Sequence, residues 1–282
     1  MIGRQAPRLD GPEIPRKLRA GLDECALVFD LLDAARKPGV MVDVGAHFGS
    51  SLASFARSGW KVLAFEPDSA NRERLEANMA ASPQNYAGVW LSPLAVSDEV
   101  RENVAFFSSP VSTGISGLSA FHESHNETGR VSTTTLNNVV REHELAAIDF
   151  LKIDVEGHEM SVLSGLDFHS IRPRVIIAEF EDTKTLPNGY STGELAQYLV
   201  DRGYSVFASE WYPIERYGVR HQWRRILRWP AEIPADAWGN LVAFSDPPDS
   251  ERIDAALRRN ISYPKTFFHK VARRIRRLVA RI

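Results

Sequence analysis

Four ionisable residues near the middle of the chain have the types and spacing to do chemistry: Asp154, Glu156, His158 and Glu159. They follow a nearly continuous apolar run, residues 148–155, which is typical of a buried central strand. A carboxylate or an imidazole at such a strand end can take a proton from a bound hydroxyl. The same oxygens could instead hold a divalent ion that polarises the acceptor, although the spacing does not require a metal. The alternative is that these charges only cap the next helix.

A second group of candidate residues lies in residues 40–67. An apolar strand there ends in a small-residue turn with Gly45 and Gly49, a helix follows, and a second strand ends at Glu66. Strand, glycine turn, helix, strand and terminal acid form a nucleotide-binding half-unit, in which the acid can hold ribose hydroxyls. The glycine spacing departs from G-x-G-x-x-G. It suits a cofactor that has a ribose but no phosphate, such as S-adenosylmethionine, unless the unit is an ordinary βαβ with incidental glycines.

Both groups depend on the elements that carry them. Strands alternate with helices along the chain, which predicts a parallel sheet with helices on both faces. The carboxyl ends of its strands would then bring the two groups to one edge. The predicted strands cover residues 40–44, 61–65, 85–96, 104–107, 131–136, 148–155, 175–180, 204–208 and 240–245.

Composition restricts the class of protein. The 282 residues are 44% hydrophobic and 25% charged with a net charge of −2, as in an ordinary soluble globular protein and unlike a protein with bulk affinity for nucleic acid. The single cysteine, Cys25, leaves no internal disulfide or cysteine zinc site and indicates a reducing compartment. Neither a signal peptide nor a membrane-spanning run is evident. We therefore expect a cytoplasmic protein.

We divide the chain into three parts: an N-terminal arm and helical segment (1–37), a catalytic domain (38–246) and a basic amphipathic tail (247–282). Residues 265–282 carry seven Lys and Arg residues and no acid, with apolar residues on one helical stripe. This pattern is typical of a helix that lies on an anionic membrane, here the inner face, or docks against a partner protein. The alternative is a solvated basic face packed on its own domain.

Two further segments are open to two interpretations each. Residues 211–229 interleave arginines with aromatic residues, a pattern suited to stacking on sugar rings or grasping an anionic acceptor, or to a packing hairpin. Residues 108–130 form a long polar stretch containing His122 and His125. Long loops within compact domains tend to be either functional or disordered, and we interpret this one as a substrate loop.

Four motifs together resemble the FkbM-type S-adenosylmethionine-dependent methyltransferases. They are VDVGAHFG (42–49), FEP (65–67), VSTTTLN (131–137) and, most specifically, LKIDVEGHE (151–159). The resemblance spans residues 38–245 and leaves the arm and the basic tail uncovered. One position differs, because His47 stands where family members usually carry asparagine.

The resemblance implies a class I methyltransferase fold: a Rossmann-like, mostly parallel seven-stranded α/β sheet with helices on both faces. It also implies residue roles. Asp43, Gly45, Ala46 and Gly49 would line the methionine end of the cofactor, and Glu66 would hold the ribose. Ser97 and Asp98 would lie near the adenine, and Asp154 would stand beside the sulfonium and the acceptor. His47 is counted with the cofactor-binding residues, although its departure from asparagine leaves a contact of its side chain open.

We therefore expect an O-methyltransferase that uses S-adenosylmethionine and acts on a hydroxyl of a saccharide, glycolipid or surface glycan. The alternatives are a natural-product O-methyltransferase and a catalytically silent docking module. The general base would be Asp154 or His158, with Glu156 as a further candidate. A nicotinamide oxidoreductase is disfavoured because the G-x-G-x-x-G fingerprint is missing.

Overall fold

The computed structural model describes residues 13–216 and 219–264. Its strands are β1 (Gly21–Leu22), β2 (Val40–Val44), β3 (Lys61–Phe65), β4 (Val89–Ser92), β5 (Ala95–Ser97), β6 (Val104–Ser108), β7 (Asn126–Val131), β8 (Thr133–Thr135), β9 (Phe150–Ile153), β10 (Val175–Glu181), β11 (Ser205–Trp211), β12 (Trp223–Arg228), β13 (Trp238–Phe244) and β14 (Ile261–Ser262). Its α-helices are α1 (Glu24–Leu31), α2 (Ala53–Arg57), α3 (Ser69–Ala81), α4 (Leu136–Glu142), α5 (Glu159–Ser164), α6 (Asp182–Thr185), α7 (Thr192–Asp201) and α8 (Ser250–Asn260). Short 3₁₀ turns cover Arg16–Leu18, Pro83–Asn85 and Leu186–Asn188.

The central sheet has the strand order β12-β11-β13-β10-β9-β2-β3-β4. The pairs from β4 to β10 are parallel, whereas β13 runs antiparallel to both of its neighbours. The mostly parallel α/β sheet predicted from the sequence is thereby confirmed. The sheet has eight strands rather than seven, because β12 adds an edge strand antiparallel to β11.

The central strands consist mostly of apolar residues because both faces of the sheet are covered. One face packs against α1, α2 and α8, and the opposite face packs against α4, α5 and α7. Helices therefore lie on both faces, and the polar ends of the buried strands are free to form a site. None of the described helices is long and apolar enough to cross a bilayer.

The predicted third strand, residues 85–96, is shorter in the structure. It is divided into β4 and β5, which belong to different sheets, because β5 pairs with β8. Pro93 lies between them and has no N–H to donate to a ladder, which explains the break. The small sheet of β5 and β8 carries Ser97 and the start of α4 past the edge of the main sheet.

The two ends of the described chain meet. Strand β1 pairs antiparallel with β14, and Arg259 on α8 forms an ion pair with Asp30 on α1 at 2.9 Å. The first part of the predicted tail therefore packs on the predicted N-terminal segment. The predicted amphipathic helix of residues 265–282 lies outside the described residues.

Candidate active site

A cavity of about 580 Å³ opens at the carboxyl ends of β2, β3, β9 and β10. Its volume lies within the roughly 300–1,000 Å³ of small-molecule sites. The predicted site residues that line it are Gly45, Ala46, His47, Glu66, Asp154, Glu156 and His158. Both sequence motifs therefore meet in one cavity, as their places at the strand ends require.

The glycine turn brings the ends of β2 and β9 very close together. A Cβ atom on Gly45 would lie 1.9 Å from the carbonyl oxygen of Asp154, and its φ of +80° also favours glycine. Gly49, with a φ of +82°, packs against Leu75 instead of lining the cavity. His47 has a φ of +50°, which is uncommon for a residue other than glycine. The turn thus packs closely against the end of β9, and Gly45, Ala46 and His47 form a cradle that lines the cavity at the end of β2.

Glu66 is bound into this cradle. Its two oxygens accept hydrogen bonds from the backbone N–H of His47 at 2.7 Å and of Asp68 at 2.9 Å. Burial raises the pKa of Glu66 to about 7, although both N–H donors oppose the shift. Each carboxylate oxygen keeps a further lone pair, so the side chain can accept hydrogen bonds from the hydroxyls of a ribose.

Lys152 links the glycine turn to the acidic motif. Its Nζ donates to the carbonyl oxygen of Gly45 at 2.6 Å and lies 3.3 Å from Asp43 and 3.4 Å from Asp154. Burial disfavours the charged ammonium, but the two carboxylates outweigh it and raise the pKa of Lys152 above its ordinary value. Asp43 is fully buried, accepts a hydrogen bond from Ser51 and does not line the cavity. In this structure Asp43 positions Lys152, which the sequence analysis did not identify as a site residue.

Lys184 lies among three carboxylates at the far end of the cavity. Its Nζ is 2.7 Å from Glu156, 2.9 Å from Glu181 and 3.0 Å from Glu179, and its side chain is only 3% exposed. Burial raises the pKa of Glu156 to about 7 and raises that of Glu179 well above its usual range, with Lys184 opposing both shifts. This cluster has more carboxylates than ammonium groups, so this end of the cavity is acidic.

A divalent ion could be considered at this end, because oxygens of Asp154, Glu156 and Glu179 all lie within 4.8 Å of one another. Two of these three residues already form ion pairs with Lys184. A metal ion bound by all three would have to displace a buried ammonium group. The arrangement therefore does not fit a resident divalent ion.

The remaining acidic and histidine candidates have distinct surroundings. His158 lines the cavity, and its Nε2 lies 2.9 Å from the hydroxyl of Ser97, which also donates to Asp98 at 2.8 Å. Burial lowers the pKa of His158, with Asp98 opposing the shift. Ser97 and Asp98 do not line the cavity. Glu159 is buried beneath the turn, where it accepts hydrogen bonds from backbone N–H groups and Tyr190, so it holds the motif in shape.

Residues 112–118 of the predicted substrate loop close one side of the cavity. Asp68 accepts hydrogen bonds from Ser108 and Ser116, and Asn71 donates to the carbonyl oxygen of Thr113 at 3.0 Å. The loop is therefore fastened to the start of α3, directly after Glu66. The cavity wall on this side combines small polar residues with the apolar Ile115 and Leu118.

The sequence of the chain resembles those of known proteins. A profile of the methyltransferase FkbM domain matches residues 43–206. The 31-O-demethyl-FK506 methyltransferase FkbM of Streptomyces tacrolimicus is 30% identical over 205 residues, which cover 62% of this chain and 76% of that protein. The hexuronic acid methyltransferase AglP of Haloferax volcanii is 28% identical over 152 residues, 54% of this chain and 58% of that protein.

A third relative is far larger than this chain. The AMB antimetabolite synthetase AmbE of Pseudomonas aeruginosa is 29% identical over 210 residues, which cover 59% of this chain and 10% of that protein. The matched profile covers more than half of the chain and includes the glycine turn, Glu66 and the acidic motif around Asp154. The chain belongs to the FkbM methyltransferase-domain family.

Proposed function

We propose that this protein is an S-adenosylmethionine-dependent O-methyltransferase whose acceptor is a hydroxyl group of a saccharide. The observation that carries the proposal is the placement of Glu66 and Asp154 in one cavity, on either side of a backbone cradle at Gly45. One carboxylate is suited to a ribose and the other to an acceptor hydroxyl. The membership of the FkbM family supports methyl transfer as the reaction.

The cradle has the features that S-adenosylmethionine would need. Glu66 offers free lone pairs in a buried position, and the turn from Gly45 to His47 lines the cavity beside it. Residues 94–96 and Phe106 add apolar wall on the β5 side, where a flat base could lie. When bound, this cofactor would supply an activated methyl group.

The protein's part in the reaction is to position the acceptor oxygen and remove its proton. Methyl transfer is an in-line displacement, so correct placement of the nucleophile contributes most of the rate. As the bond from the acceptor oxygen to the methyl group forms, the hydroxyl proton passes to a general base. Asp154, Glu156 and His158 are the candidates that line the cavity.

Of these three, Asp154 is best suited to be the base. Its side chain is 41% exposed, whereas that of Glu156 is 9% exposed and forms an ion pair with Lys184 at 2.7 Å. His158 is engaged with Ser97. Asp154 thus combines access to the cavity with a cationic neighbour, Lys152, that orients its carboxylate from behind.

The acceptor class is inferred from the acidic, aromatic end of the cavity. Trp238, His221 and Asn240 line it together with the carboxylates, a combination that can stack on and hydrogen-bond to a sugar ring. One relative is named for a hexuronic acid, which agrees with a saccharide. The name of another, for 31-O-demethyl-FK506, supports a natural product as the second candidate acceptor.

The first test is calorimetric titration of the protein with S-adenosylmethionine, S-adenosylhomocysteine and NAD. We expect micromolar binding of the two adenosyl ligands, about −8 kcal/mol, and none of NAD. Glu66→Ala should weaken both by about 1–3 kcal/mol. Glu73→Ala, an exposed acid on the neighbouring helix α3, is the matched control and should bind normally. Binding of neither adenosyl ligand would contradict the enzyme proposal and favour a docking module.

A further inference from the structure

A second cavity, of about 410 Å³, lies beside the first and has the opposite charge. Its charged lining residues are four arginines, Arg16, Arg19, Arg216 and Arg220, and one acid, Glu215. The arginines come from two distant parts of the sequence, the segment before β1 and the loop between β11 and β12. The fold brings them together on one side of that loop.

The two cavities share a wall. His221 lines both of them, Ile214 lines the first, and Pro213 and Arg216 line the second. Trp238, in the first cavity, donates its indole N–H to the carbonyl oxygen of Tyr212 at 2.9 Å. Residues 212–216 and 219–222 therefore lie between the two cavities, which meet at His221.

The positive charge in the second cavity is only partly neutralised. Arg16 forms an ion pair with Glu215 at 2.7 Å, and Arg220 donates to the hydroxyl of Ser262 at 2.7 Å. Among the residues that the structure describes, Arg19 and Arg216 form no ion pair. Two arginines of β12 behave differently, because Arg224 and Arg225 both pair with the buried carboxylate of Glu210.

Electrostatics then decide where an anionic substrate can place its charge. At the far end of the first cavity the ammonium group of Lys184 is already paired with Glu156 and Glu179, so this end offers no free cation to an oxyanion. Arginine is the side chain best suited to carboxylates and phosphoryl groups, because its planar fork donates two parallel hydrogen bonds. The arginines across the shared wall offer what the first cavity lacks.

We propose that the second cavity is an oxyanion subsite for the acceptor, which is an anionic saccharide carrying a phosphoryl or carboxylate group. The saccharide hydroxyl enters the first cavity, and the oxyanion rests on Arg19 and Arg216. This assignment rests on the proposed function for the hydroxyl end. The anion site itself is testable without methyl transfer.

The test is calorimetric titration of the full chain at low ionic strength with four probes: inorganic pyrophosphate, glucose 1-phosphate, glucuronate and glucose. The variants are the double substitution Arg19→Ala/Arg216→Ala and, as control, Arg258→Ala, an exposed arginine on α8. We expect the wild-type protein to bind pyrophosphate and at least one anionic sugar more tightly than glucose. Which sugar binds identifies the oxyanion as phosphoryl or carboxylate. The double variant should lose at least about tenfold in oxyanion affinity, and the control should lose none.

Three results would overturn the proposed subsite. They are no binding of any oxyanion, an equal oxyanion affinity in the double variant and the control, and binding of glucose as tight as that of both charged sugars. Binding to phosphatidylglycerol vesicles that the double variant loses, without binding of soluble oxyanions, would assign the arginines to a membrane surface and also overturn it. Titration with S-adenosylhomocysteine in the same samples separates the two proposals. If that ligand fails to bind while oxyanions bind, the proposed function fails and the anion site stands.

Discussion

Lys184→Met tests whether one ammonium group holds the acidic end of the cavity together. The substitution keeps most of the apolar stem and removes a charge that lies within 3.0 Å of Glu156, Glu179 and Glu181. Removing one partner of a buried ion pair costs about 3–5 kcal/mol, because the remaining charge is left uncompensated. We expect a loss of that size in the free energy of unfolding near pH 8. Lys37→Met, at an exposed lysine, should change it by less than about 0.5 kcal/mol.

The loss should depend on pH in a definite direction. Burial already raises the pKa of Glu156 to about 7 and that of Glu179 well above its usual range. A carboxyl whose folded-state pKa is raised binds its proton more readily in the folded protein, so stability falls as pH rises from the unfolded value through the folded one. Without Lys184 both shifts grow. The variant should therefore recover much of its stability between pH 8 and pH 5.5.

The assay is urea unfolding followed by circular dichroism at both pH values. A loss below about 1 kcal/mol, or one that is equal at the two pH values, would refute the view that Lys184 neutralises these carboxylates. The variant also frees oxygens of Asp154, Glu156 and Glu179 that lie within 4.8 Å of one another. Millimolar Mg²⁺ should then stabilise Lys184→Met and leave the wild-type protein unchanged, since Mg²⁺ prefers carboxylate ligands. Equal behaviour of the two proteins would show that these oxygens do not form a cation site.

Three further perturbations test the cofactor cradle and the base. The pKa of Glu66 is raised to about 7, and its ionised carboxylate accepts hydrogen bonds from ribose hydroxyls better than the protonated form does. The affinity for S-adenosylhomocysteine, measured by calorimetry, should therefore rise about tenfold from pH 6 to pH 8. In Glu66→Gln the affinity should be nearly the same at the two pH values. Asp154→Asn should lower turnover about 100-fold in a methyl-transfer assay while sparing cofactor affinity; full activity would move the base to His158. Gly45→Ala should cost more than about 3 kcal/mol in urea unfolding, because its Cβ would meet Asp154, whereas Gly59→Ala, with the same sign of φ and open space around it, should cost about 1–2 kcal/mol. Equal losses for the two glycines would refute the close-approach argument.

The sequence predicted the parts of the site that short segments encode. Strand β2, the glycine turn and strand β3 follow one another within 26 residues, from Val40 to Phe65, so apolar runs and glycines were enough to place Gly45 and Glu66. The acidic motif after β9 was equally local. That both motifs meet in one cavity followed from the rule that ligands bind at the carboxyl ends of parallel strands.

The sequence did not predict the partners that come from other elements. Glu179 lies in the apolar run of β10 and Lys184 on the short helix α6, and neither position has a local pattern that indicates an active site. A buried acid inside a strand is the one signal that was present, since such a residue needs a partner. Lys152 was visible as a charge within an apolar strand, but its contact with Asp43 depends on the pairing of β9 with β2.

The arginine-rich segment shows why one pattern allowed two interpretations. Half of it became strand β12, where Trp223 is buried and Arg224 and Arg225 pair with Glu210. The other half, the loop before β12, carries Arg216 and Arg220 into the second cavity. The second part of the segment therefore forms a packed hairpin strand, and the first part forms a cationic surface. The pairing of β12 with β11 separates the two parts, and the sequence alone does not show where this pairing begins.

The opposite charges of the two cavities have a consequence for the orientation of the acceptor. A neutral sugar would interact about equally well with the charges of either cavity. An anionic saccharide would bind with its charge at the arginines around Arg216 and away from the carboxylates around Glu156. Complementary potentials of this kind fix the orientation of a partner during encounter. The end of the saccharide opposite its oxyanion would then be the one that reaches Asp154. Selectivity for the methylated hydroxyl would then follow from its distance to the oxyanion within the saccharide.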